Sequence, residues 1–303
     1  MTALKIAGIY FLILMTILFN YSCNQALVSD SGWQLVGSGF SFPEGPAWDG
    51  KETLYVSNCY GGWIAKISNG KIDTLASASD TTFQRTNGLA VGKDGNILAC
   101  EFGSGAILQI NPLGKINVLI PGYAGEPFHR PNDLVIDREG NIYFTDPNSY
   151  GKEKNDGRIF YYDMSTSDLT LAGDSLAFPN GIAISPIDGK LYVCESAKNQ
   201  ISHFEITEQS ILKNKEVFIV LPGGDPDGIA FDVKGNLYVA HFGGGTVYII
   251  SPEGQILAQI KTPGIKPTNL EFGDTDLKTL YLTEVETNSL FKIRAKYPGF
   301  KSF

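Results

Sequence analysis

Past residue 40 the chain shows no helical period; short apolar runs alternate with small polar turns. Six segments share one plan: a polar pair, a short apolar strand, a turn with Asp or Gly, and a strand reading roughly Leu-Tyr-Val. They open at Pro43-Glu44-Gly45, Thr86-Asn87-Gly88, Pro131-Asn132-Asp133, Pro179-Asn180-Gly181, Pro226-Asp227-Gly228 and Pro267-Thr268-Asn269. Their middle residues lie 43, 45, 48, 47 and 41 positions apart. A period in the forties made of short strands predicts an all-β, six-bladed β-propeller with four strands per blade. In the fifth unit the strands are expected at 229–231, 236–240, 246–250 and 256–260, separated by glycine-containing turns. The sixth unit runs out early, so residues 33–36, ahead of the first unit, are expected to supply its outermost strand. That closure removes the exposed sheet edges on which other chains could pair.

The N-terminal segment has a different pattern. Lys5 precedes an apolar run over 6–19, shorter than the roughly 20 residues a spanning helix needs but suited to the middle of a secretory signal. The polar stretch Asn20-Tyr21-Ser22-Cys23-Asn24 follows, and a small residue before Cys23 resembles a bacterial lipoprotein signal. The alternative is an ordinary cleaved signal with Cys23 incidental. Residues 1–23 are therefore set apart as an address and 24–303 as the propeller. The protein is expected to be exported, as a periplasmic or cell-envelope lipoprotein, and to meet a membrane only through a lipid on Cys23.

Composition narrows the chemistry. With 24 Lys+Arg against 32 Asp+Glu the net charge is −8, and no basic run is present, which argues against nucleic acid as a partner. Four cysteines without a CxxC and three histidines without an HExxH remove a disulfide scaffold and a His-rich zinc site. No GxSxG, P-loop or GxGxxG occurs. Cys100 and Cys194 fall in blades that do not touch, and both are read as buried thiols.

Equivalent positions of a propeller converge on its axis, so the repeats predict two rings. The first ring comprises Glu44, Asn87, Asn132, Asn180, Asp227 and Thr268, all bearing side-chain oxygen and none basic. Buried oxygens without partners are costly. Two carboxylates with several amide carbonyls suit one hard divalent cation, Ca²⁺ first, with Mg²⁺, Mn²⁺ and Zn²⁺ as the other candidates. The competing reading is turn chemistry, since Asn-Gly and Asp-Gly favour turns anywhere. The second ring ends the second strand of each blade: Asn58, Glu101, Asp146, Glu195, His241 and Glu284. Glu101, Asp146 and His241 are expected to act as a second shell that orients the ligands through hydrogen bonds; for Glu195 and Glu284 the competing reading is bonding to strand-end backbone. His203 is assigned a structural role. Over the same face run an extended entry with His129 and Arg130, candidates for binding a polyhydroxylated ligand, and a long loop over 147–157.

Together Phe42-Pro-Glu-Gly-Pro-Ala-Trp48, Arg130-Pro-Asn-Asp-Leu-Val-Ile-Asp137, Ile142-Tyr-Phe-Thr-Asp-Pro147, Pro179-Asn-Gly181 and Pro226-Asp-Gly-Ile-Ala-Phe-Asp232 resemble the SMP-30/gluconolactonase/luciferin-regenerating-enzyme family. The resemblance implies metal ligands at Glu44, Asn132, Asn180 and Asp227, with Asn87 and Arg130 near the substrate and Asn132 facing both. Where the family often has Pro-Pro-Tyr-Gly, this chain has Pro147-Asn148-Ser149-Tyr150-Gly151, one residue longer. The function expected is metal-dependent hydrolysis of a small-molecule sugar lactone, with the cation polarising the carbonyl and Asp227 as general base. His241 or Glu101, acting through a water, is the fallback base. The alternatives are a phosphotriesterase or other esterase on the same site, and a non-catalytic surface propeller that binds glycan or protein.

Overall fold

The computed structural model describes residues 26–78 and 82–302, so the leader and Cys23 lie outside the described residues. Among these, 24 strands form six four-stranded antiparallel sheets, and in five of them the strands neighbour one another in chain order. The first blade runs outward through Pro43–Trp48, Leu54–Asn58, Trp63–Ser68 and Lys71–Ser77. The sixth contains Pro267–Gly273, Thr279–Glu284 and Ser289–Arg294, and its outermost strand is Gln34–Ser38, antiparallel to Ser289–Arg294. The six-bladed propeller therefore closes as the repeats predicted. The closing strand sits slightly later than 33–36, because the Trp33 indole instead donates to the Lys261 carbonyl of blade five at 2.9 Å.

The hydrophobic core is not at the axis. It is divided among the six interfaces between neighbouring sheets, as face-to-face packing of twisted sheets requires. Ala47, Tyr55 and Ile64 of blade one meet Leu89, Ile97 and Leu108 of blade two; Phe40, Trp48 and Val56 meet Tyr281 and Leu290 across the closure. Second strands such as Leu54–Asn58 and Leu191–Glu195 are buried at every position, because a blade covers each of their faces. Burying each large aliphatic there contributes about 1.5–3 kcal/mol.

One irregularity recurs and places the site. In five blades the register between first and second strands slips by one residue at the polar pair, as between Glu44 and Ala47, Thr86 and Leu89, and Pro226 and Ile229. A bulge of this kind bends the strand and re-aims a side chain. The inner strand of blade five accordingly begins at Asp225, not at 229, and holds its polar pair inside the strand. The Asn-Gly and Asp-Gly pairs are thus bulge residues and not turns. The chain end returns beneath the propeller: Phe300 donates to the Phe231 carbonyl at 2.8 Å, and Phe300, Lys301 and Ser302 reach the lower end of the axial channel, a cavity of about 130 Å³.

Candidate active site

At the upper end of that channel the bulged inner strands approach one another closely. A Cβ added at Gly88 would strike the Asp133 carboxylate, and one at Gly228 would strike the Asn269 amide. The residue after the ring position is Gly in blades one, two, four and five, and Asp133 or Asn269 in blades three and six. The glycines leave room for two side chains that cross the axis, where the Asn269 amide donates to Asp133 at 3.2 Å. Both residues escaped the repeat comparison, although the switch from Gly at that one position was readable.

Three acids from alternate blades, Glu44, Asp133 and Asp227, meet here. All three are buried. Burial, reinforced by Asp133, pushes Glu44 up to about 8. Burial pushes Asp133 up to about 7, and burial with Glu44 and Asp133 as neighbours drives Asp227 well above the ordinary range. Their answering donors are few and neutral. Glu44 accepts from Gly45 N at 3.1 Å, Asp133 from Leu134 N at 2.9 Å and from Asn269, and Asp227 draws on the Asn180 amide. No three His, Cys, Asp or Glu among the described residues form a metal cluster by themselves. A cation here would rest on a mixed set of carboxylate and amide oxygens, and the uncompensated charge of the hub fits that role.

The ring backbone is pinned by hydroxyls from the adjoining blade. Ser57 donates to Asn87 O at 2.7 Å, Thr145 to Asn180 O at 2.9 Å and Ser196 to Pro226 O at 2.7 Å. Asn132 is held by its own backbone, which bonds Thr145 O and accepts from Gly88 N. Thr268 differs from its ring mates. Its hydroxyl bonds Pro43 O at 2.9 Å and Thr283, so it fastens blade six to blade one and is not offered to the axis. Ser57, Thr145 and Thr283 share a column with Cys100, Cys194 and Ala240, each one residue before the second ring. The column demands small side chains, which accounts for the two cysteines; both are free and buried.

The second ring does something other than orient ligands. Glu101 accepts from the amides of Gln84, Arg85 and Gly103 and from the Ser104 hydroxyl. Asp146 accepts from Arg130 N at 2.8 Å and from the Arg158 guanidinium at 2.6 Å, with His129 at 4.0 Å. Glu195 takes Ala177 N, Ser202 and Lys215; these donors outweigh the upward push of burial, and its carboxyl sits below the ordinary value. Glu101 and Asp146 therefore secure the loops at the mouth, and the expectation that they orient first-ring side chains is corrected. His241 is the exception. It is buried, its ring nitrogens have no hydrogen-bond partner, and burial holds it down to about 4. His203 lies away from both rings, 3.6 Å from Glu216.

At the mouth, Arg130 and His129 are exposed, and the long blade-three loop reaches over blade four. Tyr150 stacks edge-on against Phe178 and donates its hydroxyl to Asp225 of blade five at 2.8 Å.

Residues 42–286 match the model of the SMP-30/gluconolactonase/LRE-like region. The chain belongs to this family. A gluconolactonase of Zymomonas mobilis is 34% identical over 236 residues, covering 71% of this chain and 64% of that protein. The diisopropyl-fluorophosphatase of Loligo vulgaris is 31% identical over 187 residues, 57% of this chain and 59% of that one. Among solved structures, a gluconolactonase from Xanthomonas campestris superposes with a TM-score of 0.79 at 28% identity, covering 90% of this chain and 92% of its own. The family thus spans lactonases and a fluorophosphatase, and the hub acids lie within the matched region.

Proposed function

We propose that this chain is a metal-dependent hydrolase that opens a sugar lactone at the propeller hub. The observation that carries the reading is the trio Glu44, Asp133 and Asp227, buried together without a basic side chain among the described residues to answer them. Glu44, Asn132, Asn180 and Asp227 would hold the cation, Ca²⁺ first among hard ions, with Asp133 and Asn269 beneath. When bound, such an ion supplies Lewis-acid polarisation of the substrate carbonyl.

The remaining work falls to the chain. Asn87, Asn132, His129 and Arg130 would hold sugar hydroxyls and fix the ring against the hub. Asp227 takes a proton as water adds to the carbonyl carbon. The ring C–O bond then breaks, and the proton passes to the departing ring oxygen, leaving an open-chain hydroxy acid. Glu101 has its oxygens engaged by four donors and is withdrawn as a fallback base; His241, with free ring nitrogens, stays available. Acid release from δ-gluconolactone, followed with a pH indicator with Ca²⁺ and after chelation, tests the reading. Metal-stimulated turnover that Asp227→Asn removes is the expected result; turnover untouched by chelator and by that substitution overturns it.

The fluorophosphatase relative favours a second reading, hydrolysis of a phosphotriester on the same oxygens. A panel of lactones against organophosphates ranks the two, and inertness towards both leaves a binding propeller.

A further inference from the structure

Two residues before each first-ring position lies another set, at the lip of the site: Phe42, Arg85, Arg130, Phe178, Asp225 and Lys266. Its charges are one-sided. Asp225 is engaged by the Tyr150 hydroxyl. Arg85, Arg130 and Lys266 have no carboxylate within salt-bridge distance among the described residues, whereas Arg158 and Arg294 are paired with Asp146 and Asp276 at 2.6 and 2.5 Å. In a chain of net charge −8, unanswered cations grouped at the mouth of an acidic hub stand out.

These cations are also positioned from below. Glu101 accepts Arg85 N at 2.6 Å, Asp146 accepts Arg130 N at 2.8 Å, and Glu284 accepts Lys266 N at 2.8 Å. Where the lip residue is Phe178, the acid beneath takes the preceding amide, that of Ala177, instead. Arg85 is further steadied over the Tyr60 ring, with its guanidinium carbon 5.7 Å from the centroid. Arg85 and Arg130 belong to adjacent blades whose inner strands are joined by the Gly88 N to Asn132 O hydrogen bond, at 2.7 Å. Guanidinium groups carried at the lip by adjoining blades suit the flat, multidentate oxyanions of carboxylate, phosphate or sulfonate.

We infer that the mouth selects substrates carrying a fixed negative charge, with Arg85, beside Arg130, holding an oxyanion group remote from the ester that reacts at the hub. This rests on the hub being the reaction centre, but its test does not require turnover. Calorimetric titration with glucose 6-phosphate, glucuronate and glucose compares a phosphate, a carboxylate and a neutral sugar. At least one anionic sugar should bind about tenfold or more tightly than glucose at low salt, and the gap should narrow as ionic strength rises beyond about 0.1 M. Arg85→Gln should reduce that gap about tenfold, Arg85→Lys should restore part of it, and Arg138→Gln, outside the lip, should leave it unchanged. The same gap should appear in kcat/KM for δ-gluconolactone 6-phosphate against δ-gluconolactone. Equal affinity for charged and neutral sugars, or a gap indifferent to Arg85→Gln, overturns the inference. Salt-sensitive binding through Arg85 without hydrolysis of any lactone would leave the lip assignment standing and remove the hydrolase reading.

Discussion

The two ends of the axial channel treat their carboxylates differently. Near the lower end Glu271 touches the channel space, is pushed up by burial to about 7, and faces the Lys301 ammonium of the chain's tail at 3.9 Å. At the upper end Glu44, Asp133 and Asp227 crowd together and receive only amide donors. Elsewhere buried acids are answered too: Glu195 by Lys215, Asp146 by Arg158, and Glu101 and Glu284 by several N–H and O–H donors. A fold able to seat a lysine beneath its own hub brings none to the hub acids among the described residues. The contrast separates charge that closes a structure from charge kept open for a ligand.

The largest effect should come from removing a hub acid. Glu44→Gln or Asp227→Asn is expected to lower kcat for lactone at least about a hundredfold, since polarisation of the carbonyl contributes several kcal/mol. Above about pH 8, where Glu44 is ionised, the Glu44→Gln variant should melt higher than the parent when both are metal-free, because one repelling buried charge is gone. A variant that lost activity and stability together would place these acids with the structural ones.

Next is the cation itself. At about 100-fold its dissociation constant it should add about 2.7 kcal/mol, a rise in melting temperature of roughly 5–10 °C for a chain of this size. The pH dependence of the metal-free protein has a definite sign. Glu44 and Asp133 hold protons more tightly folded than unfolded, with folded values of about 8 and about 7 against 4.5 and 3.8. Their contribution is therefore fully present below about pH 4, falls progressively as pH climbs from the unfolded values, and is lost once pH passes about 8. Melting curves of chelated protein should fall across that window, and added cation should flatten the fall.

At the lower end, Lys301→Met leaves Glu271 unanswered and should cost about 1–2 kcal/mol, discounted because both side chains are about a quarter exposed. Lactone turnover should not change. Smallest is Tyr150→Phe, which deletes the hydrogen bond to Asp225. About 0.5–1.5 kcal/mol of loop ordering is at stake, expected as a severalfold rise in KM with kcat held.

The architecture was legible because propeller blades repeat, and repetition amplifies weak local signals: five recurrences of Pro or Thr followed by Asn, Asp or Glu outweigh any single Asn-Gly. Strand limits in blade five were not, since a bulge and a turn draw on the same residues; only the Pro226–Ile229 register slip distinguishes them. Asp133 and Asn269 were missed because they matter through who faces them across the axis, a relation between blades three and six that no local window contains. Glu101 and Asp146 occupied the predicted ring, but the partners of a buried carboxylate are chosen by whichever donors come within reach. Those proved to be mouth-loop amides.

By itself the sequence determined the all-β class, the number of blades and the closure by an N-terminal strand. These follow from periodicity, which a chain carries locally. The tertiary structure alone decided which carboxylates are answered and which are not, because compensation depends on distances across the channel and between blades. Lys301 reaching Glu271 while no lysine among the described residues reaches Glu44 is a fact of packing that no spacing along the chain expresses.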